Sequence, residues 1–513
     1  MLRTHASAKT AIRHAALFLA VSAMPFIAGV AWGQDSAAVT PEAPATLPLT
    51  SKSPEAQRLV VEAMRVGLDL VEQENCDVML RQAIKLDPDF AMAHELLAQN
   101  SLDPGEQVIE SARAFALRNQ ASPAERLVIE WWQDAIDHKL ISAITKMNDL
   151  LGQYPHDKWV VFMTTNWLIT QTQFDRAIAV YERSGITDSA GLLNNVGYTY
   201  AYMREFDKAF ALMDKYVDAL PKDANPQDSY AEILRMAGSF NKALEHYRAA
   251  LAIDPQFYSS QFGIADTYSL MGDQVRARQE YEVAFQKFPL PELHLVQWRT
   301  REAETFIREG DLKGADRAFQ AIAEDAHAKH MSQVEADAYR QMAMYQPDPR
   351  QASQFLSKAD TVLKEGKNSM PAAIHQEQAQ ILRARVEAAL KAGDRHGVHT
   401  LLVRLSEMAA SSNDRLIDSA YQGAAGAAAF SRHKYDDAIS HLEEDKNNPL
   451  SLKLLAAAYE KIGYSAGAKR TNDTLANLND PSLEQALVVP AFRKCYEDPT
   501  CAGGDMRPVS LKK

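Results

Sequence analysis

The chain has 513 residues, too many for one ordinary core, with 46% apolar and 24% charged side chains and a formal net charge of -12. This balance excludes the disorder signature of low hydrophobicity with high charge. An acidic chain without a basic block also argues against nucleic acid or anionic lipid as a partner, because phosphate recognition needs a surplus of Lys and Arg.

Residues 1–33 begin with Arg3, Lys9 and Arg13 and no acidic side chain, run apolar from Ala15 to Val30, and end Ala31-Trp32-Gly33. This order is that of a secretory signal peptide cleaved after Gly33, or of an anchor helix that is kept. The apolar run is short for a span and holds Pro25. The expectation is an exported protein, periplasmic or secreted, with no stable membrane span after cleavage. Residues 34–53, rich in Pro, Ala, Thr and Ser, read as a flexible linker. Export permits disulfides. Cys495 and Cys501 are close enough to pair, which leaves Cys76 outside the bridge.

From Pro54 onward apolar residues recur at three and four, and no segment alternates as a strand does. A period of 34 residues runs through this helical stretch. Ala209, Ala243 and Ala277 share it, as do Pro221, Pro255 and Pro289, Gly238 and Gly272, and Met213, Tyr247 and Tyr281. Gly197, Ala231 and Ala265 are small enough to let a first helix lie close to its partner. Tyr200, Leu234 and Tyr268 fill the remaining space. The glycines suit a left-handed turn between helices, and the prolines stop the second helix. Such a pair cannot bury its face alone, so stacked neighbours must build the core.

The pattern Ala265, Tyr268, Gly272, Ala277, Tyr281, Ala284 and Pro289 resembles the consensus of the tetratricopeptide repeat family. The resemblance implies an all-α, right-handed solenoid of tandem antiparallel helix pairs. It divides the chain into divergent pairs at 54–189, three well-formed repeats at 190–291, degenerate pairs at 292–411 and C-terminal pairs at 412–478. A C-terminal helix and disordered tail occupy 479–513. In this family the first helices line a concave groove, which places Asn194, Tyr198, Asp228, Glu232, Arg235, Phe262 and Asp266 in it. These positions are either a grip for a protein or peptide segment, basic or neutral by charge, or simply solvated faces. A family subset clamps carboxylates with Lys, Arg and Asn, but the equivalent places here lack the cations.

The chain carries no HExxH, no phosphate-binding Gly-rich loop and no GxSxG. His327 with His330, and His396 with His399, are spaced for one helix face but lack further ligands, so no metal and no cofactor are expected. Glu245 and His246 fall on a second helix and read as scaffold. Trp131, Trp132, Trp159 and Trp167 serve either core packing or a sugar-stacking surface. The leading expectation is therefore a non-catalytic exported scaffold that binds a protein or peptide in the cell envelope, of unspecified oligomeric state. The alternative is an exported enzyme or carbohydrate-binding protein on the same frame.

Overall fold

The computed structural model describes residues 46–69, 73–101, 103–137, 139–366, 371–412 and 414–496. The leader at 1–33, Cys501 and its pairing with Cys495, and the tail beyond 496 lie outside them. Among the described residues the fold is an all-α helical repeat solenoid of twelve helix pairs and one final helix. The first pairs are α1 (Pro54–Asp69) with α2 (Gln73–Leu86), α3 (Ala91–Asn100) with α4 (Pro104–Leu117), and α5 (Pro123–Ile136) with α6 (Leu140–Gln153). Next come α7 (Lys158–Thr170) with α8 (Phe174–Ser184), α9 (Ala190–Tyr202) with α10 (Phe206–Ala219), and α11 (Ala224–Met236) with α12 (Phe240–Ile253). They are followed by α13 (Tyr258–Met271) with α14 (Gln274–Lys287), α15 (Glu292–Glu309) with α16 (Leu312–Ala328), and α17 (Ser332–Tyr345) with α18 (Pro349–Glu365). The last are α19 (Pro371–Ala392) with α20 (Arg395–Ser412), α21 (Arg415–Ser431) with α22 (Tyr435–Leu442), α23 (Pro449–Lys461) with α24 (Ser465–Ala476), and then α25 (Leu483–Tyr496).

The two helices of a pair differ in burial. Helix α13 is buried almost all round from Tyr258 to Leu270, whereas α14 buries a stripe of Gln274, Ala277, Tyr281 and Ala284. The cause is position: from α7 to α23 each odd-numbered helix touches the next odd-numbered helix, so these form an inner layer. The even-numbered helices lie outside and pack between the inner ones. Inner helices also meet across longer distances in the chain, α1 with α7 and α9, and α5 with α19.

The 34-residue register falls on this packing. Ala209, Ala231, Ala243, Ala265 and Ala277 are fully buried, with Tyr247 and Tyr281 beside them. Tyr200 and Tyr268 are half-buried. A Cβ on Gly197 would overlap Met213, and one on Gly263 would overlap the Tyr247 ring, so helix pairs approach closely there. Pro221, Pro255 and Pro289 follow α10, α12 and α14, where a missing N–H ends the ladder. Gly238 and Gly272 turn the chain at φ +79° and +94°. At the same place in the preceding repeat stands Arg204, at φ +62°, a conformation that costs a side chain about 1–2 kcal/mol. Thr172, His330 and His433 share it.

The segment read as a linker to residue 53 is docked over its last part. Leu47 is buried, and its N–H donates to Asp157 Oδ2 at 2.7 Å. Thr50 N donates to Glu125 Oε1 at 2.9 Å, and Lys52 N to Asp87 Oδ2 at 2.7 Å. Composition pointed to flexibility because the capturing carboxylates lie 35 to 110 positions away.

Candidate functional site

The polar positions assigned to a groove fall on α9, α11 and α13 of the inner layer, and the structure joins most of them to one another. Asn194 Nδ2 donates to Ser229 Oγ at 2.8 Å. Tyr198 OH donates to Glu232 Oε2 at 2.8 Å, and Arg235 Nη2 donates to Glu232 Oε1 at 2.9 Å. Arg235 Nη1 reaches the next inner helix and donates to Asp266 Oδ2 at 3.1 Å. The other Asp266 oxygen accepts from Tyr281 OH. Ser260 Oγ donates to Asp228 Oδ1 at 2.6 Å. Phe262 is wholly buried and stacks on Trp298 with ring centroids 4.4 Å apart, so it is a core side chain.

Burial sets the electrostatics. Asp228 is pushed up to about 7 by desolvation, against the hydrogen bond from Ser260. Tyr198 is raised well above an ordinary phenol, first by burial and then by the Glu232 charge. The acidic positions are therefore not open charges awaiting a basic segment. Arg235 sits between two of them, and the third holds its proton towards neutrality.

The same construction continues along the solenoid at residues that the sequence reading did not single out. Arg340 Nε donates to Glu377 Oε1 at 2.7 Å, linking α17 to α19. Arg383 on α19 pairs with the fully buried Asp445 at 2.7 Å. Arg301 and Glu304 lie on α15, with Arg301 Nη1 3.6 Å from Glu304 Oε2. Burial pushes Glu304 up to about 7 and Arg308 down to about 10. One signal was available: Arg235, Arg340 and Arg383 each stand four residues after a wholly buried alanine, Ala231, Ala336 and Ala379. An arginine one turn above the close-packed position of an inner helix is aimed at the next inner helix.

The C-terminal segment completes the site. Arg204 Nη2 donates to the Asn477 carbonyl at 2.7 Å, and Asn479 Nδ2 donates to the Met236 carbonyl at 3.2 Å. Arg308 Nη1 donates to Gln485 Oε1. Asp480 lies within the electrostatic reach of Arg235, Arg204 and Arg301. Leu483 and Ala486 join the apolar cluster of α15 to α17, and Val488, Val489 and Phe492 join that of α23 and α24. Helix α25 thus bridges α15 and α23.

The remaining candidates are structural. Trp131 is fully buried against Trp132 and Trp167, and Trp159 and Trp167 are buried in the same cluster, so these three rings offer no open stacking face, while Trp132 is half-buried at its edge. His246 Nδ1 meets Gln227 Oε1 at 2.7 Å, and its ring lies against Tyr230. His327 pairs with Glu335 at 3.0 Å, while His396 and His399 are exposed. Among the described residues no three of His, Cys, Asp and Glu converge as a metal site would require. Cys76 is buried and its Sγ donates to the Ala63 carbonyl at 3.2 Å; Cys495 is exposed on α25.

No family model matches the chain. A stretch of 161 residues is 27% identical to the anaphase-promoting complex subunit CDC16 of Saccharomyces cerevisiae, covering 30% of this chain and 19% of that protein. The chain therefore spans about a fifth of the length of that relative. Among solved structures, the Cut9–Hcn1 hetero-tetramer of the anaphase-promoting complex aligns over 79% of this chain and 76% of its own at 14% identity, with a TM-score of 0.38. A tetratricopeptide repeat protein from Parabacteroides merdae aligns over 52% and 92%, at 14% identity and a TM-score of 0.34. Neither superposition reaches 0.5, so the assignment rests on the register and packing of the chain itself. With a 34-residue period of small residues, glycines and prolines seated on stacked helix pairs, the chain is an all-α helical repeat solenoid whose register resembles that of the tetratricopeptide repeat.

Proposed function

We propose that this protein is an exported scaffold that binds a protein or peptide partner through the inner layer of its solenoid, without catalysis of its own. The observation that carries the reading is the chemistry of that layer. Helices α9 to α15 bring Asn, Asp, Glu, Arg and Tyr side chains onto one continuous face, while the outer helices carry their buried stripe inward. Tyr198, Asp228 and Glu232 keep part of their surface open on that face, where a chain segment can meet them. The sequence likeness to a subunit of a multiprotein complex suits an interaction role. Export is supported by the basic, apolar and small-residue order of residues 1–33. Among the described residues no helix is long and apolar enough to cross a membrane.

The test is crosslinking and co-purification from the native cell envelope, with N-terminal sequencing of the recovered protein. The expected results are a mature chain starting near Gln34 and a partner whose recovery falls in a Tyr198→Ala, Glu232→Ala variant of unchanged helicity. Undiminished recovery would remove the inner layer from the reading, and an intact Met1 terminus in the cytoplasm would remove export.

A further inference from the structure

We propose that the cavity between α20, α21 and α22 is a socket for an aromatic side chain of a partner protein. It lies on the outer side of the solenoid, apart from the inner layer, and two repeats of the chain define what fits it.

The pair α11–α12 and the pair α21–α22 share one design. His246 Nδ1 donates to Gln227 Oε1 at 2.7 Å in the first, and His441 Nδ1 donates to Gln422 Oε1 at 2.7 Å in the second. The two residues stand 19 positions apart in both pairs. The turns match as well, with Gly238 at φ +79° and His433 at φ +59°. After each turn the chain closes on the same carbonyl of the inner helix, Ser239 N on Leu234 and Lys434 N on Ala429. The close-packed small residues are Ala231 and Ala243 in one pair, and Gly426 and Ala438 in the other. Burial holds both imidazoles below the usual histidine range, so both rings are neutral at pH 7.

The pairs differ in what lies against the imidazole. Tyr230, three residues after Gln227, covers His246 with ring centroids 4.5 Å apart, and it touches Phe210 of the preceding outer helix at 6.0 Å. Three residues after Gln422 stands Ala425, and Ala429 takes the place of Leu234. Both exchanges remove side-chain volume at one spot. A cavity of about 320 Å³ opens there, lined by Ala425, Ala429 and His441, with Leu402 of α20 on its wall. Tyr421 meets the His441 ring edge-on and leaves the cavity open. Protein interiors keep few such voids, and this one has the lining that a ring occupies elsewhere in the same chain. An imidazole supplies the stacking partner, and small aliphatic side chains surround it. Aromatic anchors seated in pockets carry much of the binding energy at interfaces. Charge narrows the partner further. Arg432 is exposed at the rim and makes no ion pair among the described residues, while Lys434 beside it is paired with Asp437 at 3.3 Å. The rim therefore keeps one net positive charge, which favours a tyrosine or phenylalanine flanked by Asp or Glu.

The probe is p-cresol, a tyrosine side chain without its backbone, titrated into the full chain and read by saturation-transfer NMR. The wild type should bind it saturably, with a midpoint on the order of 1 mM for so small a ligand. Ala425→Tyr supplies the ring from within the chain. It should bind p-cresol at least about tenfold more weakly while melting no lower than the wild type. Ala429→Leu restores the counterpart of Leu234, is a milder filling, and should act in the same direction. Adding Tyr230→Ala to Ala425→Tyr opens the corresponding place at His246. Binding should return, and p-cresol should raise the melting temperature of the doubly changed chain. Of two competing peptides, Ac-Glu-Tyr-Glu-amide should displace p-cresol at least about threefold better than Ac-Lys-Tyr-Lys-amide. Binding that both filling variants leave unchanged, no displacement by either peptide, or equal displacement by both overturns the proposal. Partner capture by the inner layer is a separate measurement, and its failure leaves these outcomes as they stand.

Discussion

Arg235 on α11 and Asp266 on α13 form a nearly dry ion pair, with side chains 5% and 4% exposed and 3.1 Å between donor and acceptor. The pair ties one repeat to the next where most repeat contacts are apolar. Removing one partner of such a pair leaves the other charged and unsolvated. Arg235→Ala should therefore cost about 3–5 kcal/mol, read as a drop in the urea midpoint. The double change Arg235→Met with Asp266→Asn keeps an acceptor for Tyr281 OH, and the one charge that loses its cation is that of Glu232, which is part-exposed and still accepts from Tyr198 OH. It should be clearly more stable than Arg235→Ala, and additive losses would contradict the pairing.

Protonation gives a second expectation with a definite sign. Asp228 and Glu95 are both pushed up to about 7, chiefly by burial. In the unfolded chain these carboxyls release their protons near 4. Between pH 4 and 7 the folded state therefore binds more protons, and stability falls as pH rises through that window. Each group contributes a slope of about 1.4 kcal/mol per pH unit while it is protonated only when folded. Asp228→Asn keeps the acceptor for Ser260 Oγ and removes the charge. It should flatten the decline in melting temperature from pH 5 to 7.5 and should melt above the wild type at pH 8. A parallel pair of curves would refute the assignment.

These two residues also mark how far the sequence could be read. The repeat period at 190–291 exposed the helix pairs and their close-packed alanines because that packing is local and recurs every 34 residues. The inner positions were recognised as polar, but their partners were hidden. Glu232 is met by Arg235 three residues on and by Tyr198 one repeat back. Asp480 approaches the same face from a segment nearly 250 residues later in the chain. Periodicity shows which face a residue occupies, and it does not show what distant chain crosses that face. The docking of residues 47–52 was hidden for the same reason.

Gly191 tests the packing of inner helices that are not neighbours in the repeat order. A Cβ there would overlap the Leu68 carbonyl at the end of α1 and would lie 3.1 Å from the Phe162 ring. A helix carbonyl cannot swing aside as a side-chain tip can, so α1 must move away from α9. Gly191→Ala should cost about 1–3 kcal/mol and speed hydrogen exchange in α1. Gly152, with nothing within 4 Å of an added Cβ, is the control. Gly152→Ala should be neutral or stabilise the protein by less than about 1 kcal/mol. Equal effects at both sites would mean that α1 does not rest on α9.

The N-terminal strap depends on three carboxylates, two of which divide their oxygens between the strap and a helix cap. Asp157 Oδ1 caps α7 by accepting from Val160 N at 2.9 Å, while Oδ2 accepts from Leu47 N. Glu125 closes the capping box with Ser122 N at 2.8 Å through Oε2 and accepts from Thr50 N through Oε1. Asp87 Oδ2 accepts from both Ser51 Oγ and Lys52 N at 2.7 Å, and its carboxyl is held below the usual range by these bonds against the cost of burial. Asp87 caps no helix of its own, so Asp87→Ala removes the strap contact with the least collateral damage. The loss should be about 1–3 kcal/mol locally, or at least about tenfold faster hydrogen exchange at the Lys52 amide. Exchange within α3 should change little, because that helix keeps its own ladder. Asp157→Ala removes a helix cap as well and should quicken exchange both at Leu47 and in the first turn of α7. A strap that exchanges at the same rate in both variants and the wild type would be held by Leu47 burial alone.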